Sequence, residues 1–484
     1  MSFSPKTPPI STVYDSLELQ GRQIRLLEII STSPEIICKL QVAQLEHDLA
    51  FSALSYVWGN PEATRGISVN GIRIQVTTNL ASALECAPGH LRQAGVAAKL
   101  WVDAVCINQD DADEKNHQVP LMADVYSSAQ LVLCWFGPAN ESIHKSMDWV
   151  ELVARERPLE DDVHKMYSLL KRDNYTRNLA WLQKYPELIN WEGSRPEESC
   201  GLMAALDLFD LPYWSRAWIF QEVVLPKQPV FVCGNRSLSL ASLQTFERWM
   251  WWFTILPAPT RPDFFPSTVW ALMTNTNYYG FKRIRRVFKA RKAVFHAADT
   301  ASEAASAKSD NGADNSAWDD WSVSTTCMAS EPKDYIYSFL AISGLGLVPD
   351  YRPEKSVGQV CREFLLEYVR EYRRKGSGED RRGELHLLRF AGVGNGWRMY
   401  LDTPSWAPNF PGMCWTRHND RKSMGLGMNS EKQVDGEAEM FHSCAKAEFV
   451  AEKLVVAAVI LDAVQAAGPL RGDFGDVDTI LQRE

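Results

Sequence analysis

The chain has 484 residues, of which 45% are hydrophobic and 23% charged, with a formal net charge of −9. That composition is typical of a globular protein, and the length suffices for roughly two to four domains. The acidic balance argues against a broad nucleic-acid-binding surface. No window approaches 18 uninterrupted apolar residues, so we expect no membrane span.

The cysteines and the N-terminus bear on the cellular compartment. Ten cysteines are scattered along the chain without the close spacing of a zinc or redox motif. This pattern is typical of a reducing compartment. The first residues are polar and proline-rich, without the apolar core of a secretion signal. We therefore expect a cytoplasmic protein.

The N-terminal part of the chain is predicted to be rich in β-structure. Strands are expected at 23–30, 36–45 and 51–57. A hairpin should follow at 66–76, because Asn70 and Gly71 both accept the positive φ angles of a tight turn. We expect Asn79 to cap a short helix that ends before Pro88.

The middle of the chain alternates between apolar strands and helices. The run 100–107 is apolar except for Asp103, which indicates a strand covered on both faces, as in a parallel sheet. A helix is predicted at 112–129, with Pro120 as a weak point, and a strand at 131–136. The polar stretch 139–211 is predicted to be a helical insertion.

A single helix is predicted from Pro212 to a stop at Pro226. Its expected buried face consists of Trp214, Ala217, Trp218, Gln221 and Leu225. A strand at 229–233 should follow it. The alternation of strands and helices predicts an α/β sheet that is mainly parallel and flanked by helices.

The remaining sequence is predicted to form three regions. A helical region at 241–296 contains seven basic residues within 282–292, which favours a solvated helix face over an acidic partner or nucleic acid. The stretch 297–320, rich in Ala, Ser and Asp, is predicted to be a disordered linker or loop. Residues 321–484 should form a mixed α+β C-terminal region, with helices at 334–341 and 357–372 and a candidate strand at 454–464.

Polar side chains follow the predicted central strands. In open α/β sheets, ligands bind outside the carboxyl ends of the strands. Ser55 and Tyr56 lie near one such end, and Asn108 and Gln109 near another. Asp103 is expected to lie inside its strand, short of that edge, as a buried carboxylate tied to backbone N–H groups.

Trp218 and Glu222 are four residues apart and should therefore be neighbours on one helix face. A buried acid needs either a partner or a chemical purpose. Two interpretations stay open, namely a salt bridge to an arginine elsewhere in the fold and a catalytic carboxylate. The sequence has neither a glycine-rich phosphate loop nor a His pair with metal spacing, so we expect no cofactor and no metal site.

Three sequence blocks each end an apolar element in polar or acidic residues. They are Leu-Ser-Tyr-Val-Trp-Gly at 54–59, Leu-Trp-Val-Asp-Ala-Val-Cys-Ile-Asn-Gln at 100–109 and Arg-Ala-Trp-Ile-Phe-Gln-Glu at 216–222. These blocks resemble the signature of the heterokaryon incompatibility (HET) domain of fungi. Further similar segments at 330–337, 348–351 and 404–408 extend the resemblance over roughly residues 20–410. The sequence departs from the family pattern at Glu331, at Ala341 and Ile342, and at Pro120.

The resemblance implies a fold and a role. HET proteins act in non-self recognition and trigger the death of fused cells, and their domain is thought to be a distant relative of the flavodoxin-like TIR domain. The resemblance places the HET domain at residues 1–240. The Trp218 and Glu222 pair is similar to the Trp-x-x-x-Glu motif of TIR domains that cleave NAD, which implies NAD as a substrate and Glu222 as the catalytic residue. Substrate-binding residues are predicted to be Ser55, Tyr56, Trp58, Asp103, Asn108, Gln109, Arg216 and Trp218.

Two other functions stay open. The blocks can instead build a non-enzymatic module that self-associates or binds another incompatibility protein. The chain can also be a degenerate paralogue without death activity. For the enzymatic alternative, the nicotinamide ring of NAD is already cationic before it leaves, so no general acid is required. One carboxylate beside the ribose and an aromatic face from Trp58 or Trp218 then suffice.

Overall fold

The computed structural model describes residues 11–157, 179–190, 200–255, 261–274, 279–304, 324, 327–375, 387, 402–403, 407–411, 446–450 and 453–457. The chain divides into two compact units. The first comprises residues 1–330, 337–343 and 348–352, and the second comprises 331–336, 344–347 and 353–484. The predicted domain boundaries at 240, 296 and 320 stay a prediction.

A nine-stranded mixed sheet forms the centre of the first unit. Its strands are β1 Gln23–Ser31, β2 Ile37–Gln44, β3 Ser52–Tyr56, β4 Thr64–Val69, β5 Ile72–Thr77, β6 Lys99–Trp101, β7 Val132–Gly137, β8 Pro229–Cys233 and β9 Arg236–Ser239. They lie in the order β5-β4-β2-β1-β6-β3-β7-β8-β9. The predicted α/β class is confirmed.

Parallel pairing dominates only the middle of this sheet. The neighbours β6, β3, β7 and β8 are all parallel to one another, whereas β1 pairs antiparallel with both β2 and β6. Outer hairpins β4–β5 and β8–β9 are also antiparallel. The sheet is therefore mixed, with a parallel centre, rather than mainly parallel throughout.

The order of the four parallel strands reverses between β3 and β7. From β3 the chain continues to β6 on one side of β3, and then to β7 and β8 on the other side. Numbered along the chain, these four lie side by side as second, first, third and fourth. Ser55 pairs with Cys134 and Tyr56 with Trp135 across the switch. A crevice outside the carboxyl ends of strands at such a switch point is where open α/β sheets bind ligands.

The helices are short except for a few. They are α1 Ser11–Tyr14, α2 Thr78–Ala94, α3 Asp103–Cys106, α4 Ala112–Gln118, α5 Met122–Ser128, α6 Glu141–Glu156, α7 Gly201–Asp207, α8 Ile219–Val224, α9 Leu240–Ile255, α10 Ser267–Thr274, α11 Tyr279–Ala304, α12 Asp334–Tyr337, α13 Leu340–Ser343 and α14 Val357–Lys375. A second, antiparallel hairpin pairs β10 Lys446–Val450 with β11 Lys453–Ala457. Within the described residues, no helix is both long and apolar enough to cross a lipid bilayer.

The predicted hairpin turn is confirmed, but the prediction for the following helix was wrong. Asn70 and Gly71 have φ angles of 52° and 80°. Helix α2 is capped by Thr77, not Asn79, and continues through Pro88 to Ala94. An interior proline costs about 3 kcal/mol. The apolar face of α2, which includes three fully buried leucines, offsets that cost at about 1.5–3 kcal/mol for each side chain.

The predicted strand 100–107 was also wrong beyond its start. Strand β6 ends at Trp101, and residues Asp103–Cys106 form the helical turn α3. Asp103 therefore lies past the carboxyl end of β6 and not inside a strand. The apolar composition of this run suits a buried turn as well as a buried strand, so the sequence pattern does not distinguish them.

The two helices predicted next are both interrupted. The region 112–129 divides into α4, a 3-10 turn at Val119–Leu121 and α5, because Pro120 has no N–H to donate within a continuous α-helix. The region 212–225 divides into a 3-10 turn at Pro212–Ser215 and the short α8. Between them Arg216 is extended, with a ψ angle of 139°.

The break at Arg216 has a tertiary cause. Arg216 forms a parallel β-bridge with Met328. The Met328 N–H donates to the Ser215 carbonyl at 2.5 Å, and the Ala217 N–H donates to the Met328 carbonyl at 3.0 Å. These bonds replace helical bonds, so Trp214 does not share one helical face with Trp218.

The outer regions agree with the predictions in part. The insertion 139–211 contains α6 and α7, while 158–178 and 191–199 lie outside the described residues. Helix α11 extends to Ala304, and residues 305–320 of the predicted linker lie outside the described residues. The predicted helix 357–372 corresponds to α14, and β11 covers the start of the predicted strand 454–464, whose residues 458–464 are not described.

Candidate functional site

Glu222 is the centre of a buried hydrogen-bond cluster at the carboxyl end of β3. Its Oε2 accepts from the Ser55 hydroxyl at 2.5 Å and from Arg216 Nη1 at 2.6 Å, and its Oε1 accepts from Arg216 Nη2 at 3.1 Å. The Glu222 residue is 1% exposed. Such a two-pronged pairing between a guanidinium and a carboxylate is among the strongest polar contacts in proteins.

Tyr213 extends this cluster on the other side of Ser55. The Tyr213 hydroxyl lies 2.6 Å from Ser55 Oγ. Ser55 has one hydroxyl proton, which it donates to Glu222, so Tyr213 donates to Ser55. The result is a directed chain of hydrogen bonds from Tyr213 through Ser55 to Glu222.

Asp103 is a second acid at the same edge of the sheet. Its Oδ2 accepts from the Trp58 indole N–H at 2.9 Å, and its Oδ1 accepts from the Ala104 backbone N–H at 2.7 Å. The Gln109 side chain donates to the Asp103 carbonyl at 3.0 Å and holds the turn closed. Trp58 is 41% exposed while Asp103 is buried, so the cluster reaches the surface at the indole ring.

Arg216 interacts with both acids. Burial alone would lower the pKa of the guanidinium, but the charges of Glu222 and Asp103 outweigh it and raise that pKa. Arg216 therefore carries a full positive charge between two carboxyl groups. Its side chain is 14% exposed.

The pKa values of the acidic groups are all shifted upward by burial. Burial raises the pKa of Glu222, opposed by Arg216 and Ser55. It also raises the pKa of Asp103, opposed by Arg216 and the Trp58 hydrogen bond. Tyr56 next to them has a raised pKa because of burial and the charge of Asp103. Perturbed acids of this kind, grouped at a strand edge, are typical of functional sites.

Seven of the nine predicted site residues lie in or beside this cluster, namely Ser55, Tyr56, Trp58, Asp103, Gln109, Arg216 and Glu222. The contacts of Asn108 are with residues outside this cluster. Its backbone N–H donates to Glu114 Oε1 at 2.7 Å, and its side chain accepts from the Asp110 N–H at 3.3 Å. Trp218 immediately precedes α8, and its carbonyl accepts from the Glu222 N–H at 3.1 Å. It is partly exposed.

Two contributions were missed at the level of the sequence. Tyr213 was placed at the start of a helix, although its position three residues before the third block at 216–222 was the available signal. Arg25 lies in β1, yet it is 1% exposed and pairs with Glu114 at 2.6 and 2.9 Å. Arg25 also donates to the Cys106 carbonyl at 3.1 Å. An arginine in an alternating strand gives no sequence signal for such burial.

The segment that carries this cluster matches a known family. Residues 51–222, from the start of β3 to Glu222 itself, match the family model of the heterokaryon incompatibility protein (HET). This chain carries a segment that is similar to the HET domain. The resemblance of the three sequence blocks to the HET signature is therefore confirmed, and the family segment ends at the buried acid of the cluster.

One curated relative extends the similarity beyond the HET domain. The chain is 26% identical over 441 residues to heterokaryon incompatibility protein 6, OR allele, from Neurospora crassa. The alignment covers 82% of this chain and 59% of that relative, so the chain spans well under two thirds of the relative's length. No solved structure matches the chain. In the part of the chain that the structure describes, no group of three or more His, Cys, Asp or Glu side chains is arranged to hold a metal ion.

Proposed function

We propose that this protein acts in fungal non-self recognition and triggers death of the fused cell by cleaving NAD at the Glu222 cluster. The observation that carries the proposal is the position of Glu222, a buried carboxylate at the carboxyl end of β3 beside the switch point. The name of the Neurospora relative supports the role in heterokaryon incompatibility.

The strand order supports a TIR-like ancestry for the domain. The parallel strands lie in the order second, first, third and fourth, which is the order that begins flavodoxin-like sheets. In those sheets the ligand binds at the switch between the first and third strands. Here these are β3, which carries Ser55, and β7.

The proposed reaction is hydrolysis of the bond between nicotinamide and ribose. The electron pair of that bond goes to the nicotinamide nitrogen, water adds to the ribose C1′, and one proton is released. Positive charge develops on the ribose in the transition state. A preorganised carboxylate stabilises that charge most effectively in a site from which water is excluded.

Five members of the cluster have a role in this proposal. Glu222 stabilises the ribose cation and Ser55 orients its carboxylate. Trp58, exposed and fixed by Asp103, offers an aromatic face to the nicotinamide ring. Arg216 occupies both oxygens of Glu222 in this structure, so the reaction requires Arg216 to release at least one of them. Asp103, the second acid near Arg216, is the group that accepts it.

The test is release of nicotinamide from NAD by the purified protein. We expect release by the wild type, loss of it in Glu222→Gln, and no change in Glu141→Gln, whose side chain is 83% exposed on α6. Circular dichroism confirms that each variant is folded. Equal rates in the wild type and Glu222→Gln, or no release by either protein, would refute NAD cleavage at this site.

A second candidate is a non-enzymatic module that works by self-association or by binding another incompatibility protein. It is favoured by the hydrogen bonds themselves, because Arg216 and Ser55 already satisfy the Glu222 carboxylate as a structural ion pair requires. The two candidates differ in the cell. Death that persists in a folded Glu222→Gln variant, and disappears when light scattering shows loss of self-association, supports the module and contradicts the enzyme.

A further inference from the structure

Helix α8, which carries Glu222, is too short to be stable alone. It has six residues, and isolated helices shorter than about 12–15 residues are marginal in water. The last four carbonyls of a helix also have no partner within the helix. Contacts from elsewhere in the chain must therefore hold α8 and set the direction of its side chains.

Arg291 on α11 supplies such a contact at the C-terminal end of α8. Its Nη1 donates to the carbonyls of Val223 at 3.0 Å and Val224 at 3.1 Å, and it also contacts the Pro226 carbonyl. Its Nη2 donates to the Lys227 carbonyl at 3.1 Å. One guanidinium thus contacts four of the five carbonyls between Val223 and Lys227, around the end of the helix.

The surroundings of Arg291 suit a permanent cap. The residue is 7% exposed, and its guanidinium lies 4.4 Å from the centre of the Phe295 ring. Burial lowers its pKa to about 10, so it stays charged at neutral pH. A cation at a helix C-terminus is stabilised by the helix dipole as well as by the hydrogen bonds.

Two further attachments of α8 and of the residue before its N-cap also come from later in the chain. The Ala217 N–H donates to the Met328 carbonyl at 3.0 Å, and the Gln221 side chain donates to the Ser338 carbonyl at 3.1 Å. Arg291, Met328 and Ser338 all follow residue 222, where the HET family match ends. The matched segment therefore does not by itself contain all the contacts that fix α8.

We infer that Arg291 is a positioning residue for Glu222, which acts through the carbonyls of the last turn of α8. This inference rests on the proposed function for its catalytic meaning, but the placement of α8 by Arg291 is testable without any activity. It also reassigns part of the basic run at 282–292. Arg291 is a buried cap within that run, whereas Lys289 and Lys292 are exposed.

The experiment compares the full chain with Arg291→Lys, Arg291→Met and the matched control Lys292→Met. Hydrogen–deuterium exchange is measured on the amides within 219–227, which cover α8 and the residues after it except Pro226, and on the β1–β2 hairpin as an internal reference. We expect exchange at 219–227 to rise most in Arg291→Met and less in Arg291→Lys, which keeps the charge but not the planar fork. Lys292→Met should match the wild type, and the reference hairpin should not change.

Nicotinamide release then separates the inference from the proposed function. In Arg291→Met we expect kcat to fall on the order of 10-fold or more, as for a displaced catalytic group, with KM nearly constant. A wild type that releases no nicotinamide refutes NAD cleavage alone, and the exchange data still decide the role of Arg291. If Arg291→Met does not fold, the exchange rates of Arg291→Lys decide whether Arg291 positions α8. Wild-type exchange at 219–227 in the folded variants, or an equal rise in the reference hairpin, would overturn the inference.

Discussion

Arg216 binds both carboxylate oxygens of Glu222. The two residues are six positions apart, and Arg216 lies in the break that precedes α8. This pair joins two of the predicted site residues directly. The sequence left open a salt bridge to an arginine elsewhere in the fold and a catalytic carboxylate. The salt bridge is formed, but with Arg216 of the same sequence block and at the proposed site. The pair and a catalytic role for Glu222 are therefore not exclusive.

Removal of Arg216 should destabilise the fold strongly. We predict that Arg216→Met lowers the free energy of unfolding by about 3–5 kcal/mol, because it leaves the Glu222 charge buried without a partner. The double variant Arg216→Met with Glu222→Gln should recover part of this loss. Urea unfolding at neutral pH measures both.

The control for that prediction is an exposed ion pair. Arg236 contacts Asp148 with both side chains about half exposed, so Arg236→Met should change stability by no more than about 1 kcal/mol. Similar losses in Arg216→Met and Arg236→Met would contradict the idea that the Glu222 pair is buried and coupled.

The direction of the Tyr213, Ser55 and Glu222 chain predicts an order of effects. Ser55→Ala removes both a donor to Glu222 and the Ser55 acceptor of the Tyr213 hydroxyl, which should cost about 1–3 kcal/mol. Tyr213→Phe leaves the Ser55 bond to Glu222 intact, so its cost should be smaller. Thermal or urea unfolding checks the order, and a larger loss in Tyr213→Phe would show that the chain runs in the other direction.

Glu247 on α9 should make stability depend on pH. Burial raises its pKa from 4.5 to about 7, opposed by Arg285 and Arg248. Because the folded state holds this proton more tightly than the unfolded state, its contribution to stability is fully present below pH 4.5. That contribution is lost as the pH rises through about 7.

Urea unfolding between pH 5 and 8 tests this dependence. We expect Glu247→Gln to flatten the decline in stability over that range relative to the wild type. Glu141→Gln, at an exposed position on the α6 surface, should leave the decline unchanged. A wild type and a Glu247→Gln variant with parallel curves would show that Glu247 is ionised throughout.

The sequence predicted the sheet centre and most of the site for physical reasons. Continuous apolar runs defined β3 and β7, and the Asn70 and Gly71 pair defined a hairpin turn. Polar residues directly after a buried strand, such as Ser55 and Tyr56, must lie near its carboxyl edge. These features depend on local periodicity and turn chemistry, which a single sequence contains.

Other features depend on tertiary contacts that local patterns do not contain. The break at Arg216 requires Met328, and Asp103 reaches the site only because β6 ends early. The continuation of α2 through Pro88 depends on burial of its apolar face. The cap by Arg291 joins two helices far apart in sequence, so its run of basic residues resembled a solvated surface.

A structure of the protein with a non-hydrolysable NAD analogue tests the central claim most directly. We predict that the analogue binds at the carboxyl ends of β3 and β7, with its ribose C1′ within about 3.5 Å of the Glu222 carboxylate and Arg216 turned toward Asp103. An analogue bound elsewhere, or Arg216 still bonded to both oxygens of Glu222 in the complex, would contradict NAD cleavage by this acid.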